Sequence, residues 1–311
     1  MQPIEAAIMR TILYGDIFDF PMTPAEIHHF LIHDEGVSLA AIQDTLATSP
    51  YMRQCLVQSQ GYIACAGRDD LIPTRLQRAQ LAAEMWQPVI DWGRWIARLP
   101  FVRMVALTGA LAMRNPAGKD EDFDYLIVTA PRRVWLTRAF VVLLVRYARL
   151  RRIVICPNYV LSETALAQSR QDLYIAHEIA QIVPIHGSAV FEAFMLANPW
   201  VKAYIPNANT AFHQTPDYEP GLAWKRLKGL LERGLQAQLG DLLENWERKR
   251  KQRKFARNLR PGHSAATLDE QQVKGHFDDH GAWVLQRYHD RLRDYGLTFP
   301  KNRKHQLAIE E

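Results

Sequence analysis

Apolar positions recur along this chain with two different periods, and the change of period divides it. Within residues 1–68 the spacing is helical: Ile4, Ala7, Ile8, Ile12 and Leu13 share one face of a helix that stops near Pro21. Thr23, Pro24 and Glu26 then supply an N-cap, a proline at the first helical position and a glutamate at the third, which predicts a capping box ahead of Ile27, Phe30 and Leu31. Ser38 caps a third helix through Leu39, Ile42 and Leu46, and residues 56–63 read as a short hairpin. Three helices followed by a hairpin is the order of a winged helix. Its third helix carries Asp44 as its one charge between Ser38 and Ser49, so it lacks the cations that dominate DNA affinity; protein contact or internal packing suits it at least as well.

Residues 69–100 predict a connecting long helix, with Leu76, Ala79, Trp86, Val89, Ile90 and Ile96 along its apolar side and Pro88 as a place for a bend. The pattern then shortens to strands at 101–108, 123–129 and 152–160, with an apolar helix at 134–149 between the last two. Short strands separated by helices imply an α/β (α+β) fold with a small mixed sheet, assigned to residues 101–205, in which 174–182 and 189–196 are helical. A Pro/Asn-rich break at 206–220 opens a helical C-terminal region, 206–311.

The chemistry concentrates around the second strand. Strand residues i and i+2 project from one face, so Asp122 and Asp124 present paired carboxylates of the kind two magnesium ions need. Upstream, Thr108-Gly109-Ala110 forms a glycine turn that offers backbone N–H groups to an anion, and Arg114 and Lys119 in the intervening loop can add positive charge. The pattern points to metal-assisted phosphoryl or nucleotidyl transfer.

Composition narrows the class further. With 48% apolar and 23% charged residues the chain reads as an ordinary globular protein, long enough for two or three domains. Its net charge of +5 alone does not indicate nucleic acid, but the run from Arg248 to Arg260 holds eight cations and no acid, either a solvated helix face or a surface for phosphates. Cys55, Cys65 and Cys156 lack zinc-ligand spacing; a turn at Gly61 would set Cys55 across from Cys65, both reduced. Glu5 and Asp16 interrupt any signal-peptide core, and the seven apolar residues 139–145 are too few to span a membrane, so the expected location is cytoplasmic, without membrane partners.

The glycine turn of Thr108-Gly109-Ala110 followed by the Asp122-Phe123-Asp124 strand resembles the nucleotidyltransferase superfamily, the polymerase-beta-like fold, over residues 101–162. A softer resemblance, through residues 14–21 and Cys156-Pro157-Asn158-Tyr159, is to uncharacterised bacterial nucleotidyltransferase-domain proteins with an N-terminal helix-turn-helix. The resemblance implies Mg2+ (or Mn2+) at Asp122 and Asp124, an NTP as donor and transfer of its NMP to an unidentified acceptor. Two positions depart from it. Ala110 stands where the family commonly has a serine, and the third strand has no acid to supply the third carboxylate, leaving Asn158, or Glu163 just beyond it. The alternative is a catalytically silent relative that binds nucleic acid or a protein through its winged helix and basic block.

Other constellations read as structural. His177-Glu178 lacks the second histidine of a zinc-hydrolase helix and reads as structural or surface. His29 and His33 lie one turn apart without a third ligand and read as surface histidines. Ser162-Glu163-Thr164 reads as the N-cap of the next helix, and Arg138, beside Trp135, as a domain contact that a helix in this position can also point at the site. Lys274 and His276 are phosphate candidates with no assigned place.

Overall fold

The computed structural model describes residues 1–255, 267–274 and 280–299. Helices α1 (Pro3–Asp16), α2 (Pro24–His29), α3 (Leu39–Thr48) and α4 (Pro50–Cys55) lead into an antiparallel hairpin, β1 (Leu56–Ser59) and β2 (Tyr62–Cys65). The capping box forms: the Thr23 hydroxyl accepts from the Glu26 amide at 3.2 Å, and the Glu26 carboxylate accepts from the Thr23 amide at 2.7 Å. α4 was invisible to periodicity because its six residues bury only Met52; Ser49 and Pro50 start it. The hairpin turns through Gln60 and Gly61, both in the left-handed region at φ 51° and 80°. Its register pairs Cys65 with Leu56, so the expected facing of Cys55 and Cys65 is off by one residue, and both are free cysteines.

The chain continues through α5 (Leu71–Ala97), β3 (Val102–Leu107), α6 (Gly109–Ala112), β4 (Phe123–Thr129), α7 (Val134–Leu150), β5 (Ile155–Ser162) and α8 (Leu173–Ala180). After these come β6 (Val183–His186), α9 (Ser188–Ala197), a 3-10 turn (Pro199–Ala203), α10 (Leu222–Leu235), α11 (Gln238–Phe255), β7 (Thr267–Leu268), β8 (Gln272–Lys274) and α12 (His280–Asp294). The result is a mixed α/β fold with a six-stranded sheet of order β6-β3-β4-β5-β8-β7. β3 and β4 run antiparallel, β4 and β5 run parallel across the α7 connection, and the outer pairs are antiparallel. β6 escaped the sequence pattern because it is four residues long and contains Pro184, which an edge strand tolerates since no inner neighbour needs its missing N–H. The three-residue β8 is too short to show any period.

The sheet buries both faces. Val105, Leu107, Tyr125 and Ile127 pack with α5 and α7 residues such as Val89 and Trp135. On the opposite face Met104, Leu126 and Leu161 join a core continuous with Ile8 and Phe30 of the N-terminal part and Tyr288 of α12. Packing therefore runs across the boundary read at residue 68. A buried ion pair reinforces the junction, with Arg75 of α5 meeting Glu26 of α2 at 2.9 Å.

The region after residue 206 is docked as well. Lys228 donates to the carbonyls of Ala97 and Val102 at 3.0 and 2.7 Å, and the Glu244 carboxylate accepts from the Trp135 and Leu136 amides at 2.9 and 2.7 Å, satisfying the free N-terminal amides of α7. Within the basic run, Arg248 pairs with Glu270, while Arg250 and Lys251 turn back to Glu247, one residue before the run begins. Lys249, Arg253 and Lys254 are exposed; Arg257 and Arg260 lie outside the described residues. Among the described residues no helix is long and apolar enough to cross a membrane.

Candidate functional site

Strand pairing positions the key carboxylate. Asp124 sits in register with Cys156 of the parallel neighbour, and its own carbonyl accepts from the Thr108 amide at 3.0 Å, which holds the glycine turn against β4. Gly109 occupies the left-handed region at φ 69°, and a Cβ built there would lie 2.5 Å from Asp124 Oδ2. Only a residue without a side chain lets the carboxylate approach the turn this closely.

Asp124 is half-buried and its pKa is pushed up to about 7, chiefly by desolvation. A hydrogen bond from the Cys156 thiol opposes the rise, whereas the charges of Asp122, Glu178 and Glu121 add to it. Cys156 is in turn pushed up to about 12, by burial and by Asp124, so it remains a neutral donor. Asp122 is exposed at the entrance to β4, near enough for its charge to act on both Asp124 and Cys156. Neither aspartate forms an ion pair among the described residues. Arg138 on α7 is the cation whose field lowers the Cys156 pKa, and the field of Glu247 acts on Arg138 from the other side.

Asp124 borders a cavity of ≈300 Å³ between the N-terminal helices and the sheet. Gly109, Ala110 and Asn158 also line it, so the turn, the second aspartate and the third-strand amide are brought together. Thr108 lies behind the turn, buried, its hydroxyl without a hydrogen-bond partner in the described structure. Two loop cations sit elsewhere. Arg114 stacks its guanidinium over Trp86 at 4.6 Å, on α5, and Lys119 is exposed in the loop; neither lines the cavity. Glu163 is at the opposite end of the strands, its amide bonded to the Thr129 carbonyl; five strand residues from Asp124 is about 16 Å, which removes it as a third ligand. Ser162 and Thr164 bond each other within a turn rather than capping a helix; the next helix, α8, is capped by Asp172.

Glu178, read from the sequence with His177 as structural or surface, lines the cavity. It stands on α8 in the cavity wall, its pKa raised by desolvation and lowered in part by the charge of Lys274 on β8 and by Gln181, whose amide donates to it at 2.7 Å. The signal was present as a lone acid on an otherwise apolar eight-residue helix, Leu173-Tyr-Ile-Ala-His-Glu-Ile-Ala180. Its neighbour His177 also lines the cavity; its Nδ1 bonds the Leu173 carbonyl at 3.0 Å and the ring stacks on Tyr14 at 3.8 Å. His29 is buried rather than on the surface, bonded to the Ala180 carbonyl at 3.1 Å, and His33 Nδ1 accepts from the Asp34 and Glu35 amides, so the two do not face a common ion. His276 lies outside the described residues.

Among the described residues no three His, Cys, Asp or Glu side chains gather as a metal centre. Asp124 and Asn158 line the cavity together while Asp122, just before β4, does not, and Mg2+ is commonly held by one or two carboxylates together with substrate phosphates and water. The acidic surroundings that lift Asp124 toward neutrality are those a divalent cation would relieve. No protein-family model, no curated protein and no solved structure matches the chain.

Proposed function

We propose that the chain is a metal-dependent nucleotidyltransferase that moves an NMP from an NTP to an acceptor, built on a polymerase-beta-like sheet with a winged-helix-like N-terminal part. The observation that carries this reading is the close approach of the Asp124 carboxylate to the Gly109 turn at the edge of a cavity. The β3–turn–β4–α7–β5 order, with β4 and β5 parallel, supports the fold, and the Met22–Ile63 bridge beside the hairpin supports the winged helix.

Mg2+ or Mn2+, when bound, neutralises the triphosphate and stabilises the developing charge. Asp122 and Asp124 would hold it with the Asn158 carbonyl oxygen. The backbone at Gly109 and Ala110 walls the space next to the carboxylates, and its closeness sets where a phosphate can lie. The acceptor hydroxyl oxygen forms a bond to the α-phosphorus while the bond from that phosphorus to the bridging oxygen breaks, releasing pyrophosphate. Glu178 is the carboxylate in the cavity wall available to take the hydroxyl proton.

With radiolabelled NTPs, Mn2+ or Mg2+ and a cell-extract acceptor pool, the wild-type chain yields a labelled product that Asp124→Asn does not make. Equal labelling by both proteins rejects the site. Two features favour the silent alternative: Ala110 in the turn, and Asn158 as the one side-chain oxygen that β5 adds to the cavity. In that case Lys249, Arg253 and Lys254 are the exposed part of a nucleic-acid surface, and wild type gives no label while binding oligonucleotide in a salt-dependent manner.

A further inference from the structure

We infer that the cavity is the acceptor subsite and that the acceptor is a compact, largely apolar molecule carrying a hydroxyl, neither a polynucleotide nor an anionic metabolite. This rests on the nucleotidyltransferase reading. Thr11, Tyr14, Phe18, Phe20, Met22 and Phe30, all from the first thirty residues, form one side of the cavity, so the N-terminal part encloses a ligand at the site. Met113 and Tyr174 close other walls. The volume, ≈300 Å³, lies at the small end of cavities that hold organic ligands.

Charge narrows the class. Among the described residues that line the cavity there is no Lys or Arg, while Asp124 and Glu178 both face it. A phosphate or carboxylate seated against the wall formed by the first thirty residues, rather than at the Gly109 turn where the NTP phosphates are placed, would find no Lys or Arg to pair with, and a nucleic-acid strand would find none of the basic groups on which its affinity depends.

His177 supplies the polar anchor. Its Nδ1 faces the Leu173 carbonyl, an acceptor only, so Nδ1 carries the proton and Nε2 is left as an acceptor. No described residue bonds that nitrogen. Burial keeps the ring neutral, and the stack on Tyr14 fixes its plane. His177 is among the cavity-lining residues, and an acceptor nitrogen of this kind suits a ligand O–H, the group nucleotidyl transfer requires.

Isothermal titration with 1-naphthol, a neutral aromatic alcohol, tests the assignment against naphthalene-1-sulfonate, adenosine, uridine and a ten-nucleotide oligothymidylate. The expected result is one 1-naphthol per chain, with binding weakened at least about tenfold by Ala110→Phe and by Met113→Trp, which fill the cavity from different positions. Retained cooperative melting of either variant shows that the loss is local. Unchanged 1-naphthol affinity in both filled variants overturns the inference, as does tighter cavity-dependent binding of the sulfonate or a nucleoside. The two readings fail differently: a labelled nucleic acid in the transfer assay leaves the activity standing and removes this acceptor class, whereas cavity-dependent 1-naphthol binding without transfer to any alcohol keeps the small-molecule site and removes the activity.

Discussion

At the residue scale the site depends on one absent side chain and one displaced ionisation. Gly109→Ala places a Cβ against Asp124 Oδ2 and strains a backbone at φ 69°, so the expected cost is about 1–3 kcal/mol together with a displaced carboxylate and a loss of transfer activity near 100-fold. Urea denaturation and the labelling assay read the two effects separately. His177 gives the pH prediction. Its folded pKa of about 3 lies below the ordinary 6.5 because the buried ring resists charging, so the native state binds fewer protons than the unfolded chain between those values. Stability from this group is complete above pH 6.5 and declines as pH falls toward 3. His177→Phe keeps the stack on Tyr14 and removes the titration, and the slope of stability against pH between 5 and 7 should flatten; an unaltered slope would show that His177 is not buried and neutral. At this scale the Gly109 turn and the strand position of Asp124 were legible because their spacing is local, whereas Asp122 lies just before β4 and outside the cavity lining. The sequence was read poorly for Glu178, whose meaning depends on a cavity assembled from distant segments, and for Arg114, whose stacking partner Trp86 is on another helix.

At the element scale, caps and registers decide which segments become which structures. The Thr23 capping box and the Ser38 cap were legible because each is made by residues three apart. The N-terminus of α7 has no side-chain cap of its own; Glu244, from α11, accepts from its second and third amides instead. Glu244→Ala should therefore destabilise the protein by about 2–3 kcal/mol, more than an exposed cap, since the amides are left buried. Chemical denaturation of Glu244→Ala beside Glu244→Gln, which retains one acceptor oxygen, checks this: equal stability of the alanine variant and wild type would mean that α11 does not serve as the cap. The missed β6 and β8 share one cause. Strands of three or four residues are stabilised by a neighbour's free N–H and C=O groups, so their own sequences need carry little β signal.

The whole molecule behaves as one packed body where the linear reading saw four segments. The core that links Ile8 and Phe30 to Met104 and Tyr288, and the Arg75–Glu26 pair, join the N-terminal part to the sheet. Full-length protein should unfold in a single calorimetric transition, and a fragment comprising residues 69–311 should lack a cooperative melt because its removal of residues 1–68 exposes one sheet face and an unpaired Arg75. Two resolved transitions would instead support an autonomous N-terminal domain.

The sequence by itself determined the local features: the helix starts, the glycine turn, the three inner strands and the spacing of the two aspartates, because each depends on residues a few positions apart. Tertiary structure alone decided that the first thirty residues wall a cavity, that Glu178 joins Asp124 there, and that Glu163 and Arg114 do not. Those outcomes depend on burial and on contacts between segments far apart in the chain, whose energies no local pattern encodes.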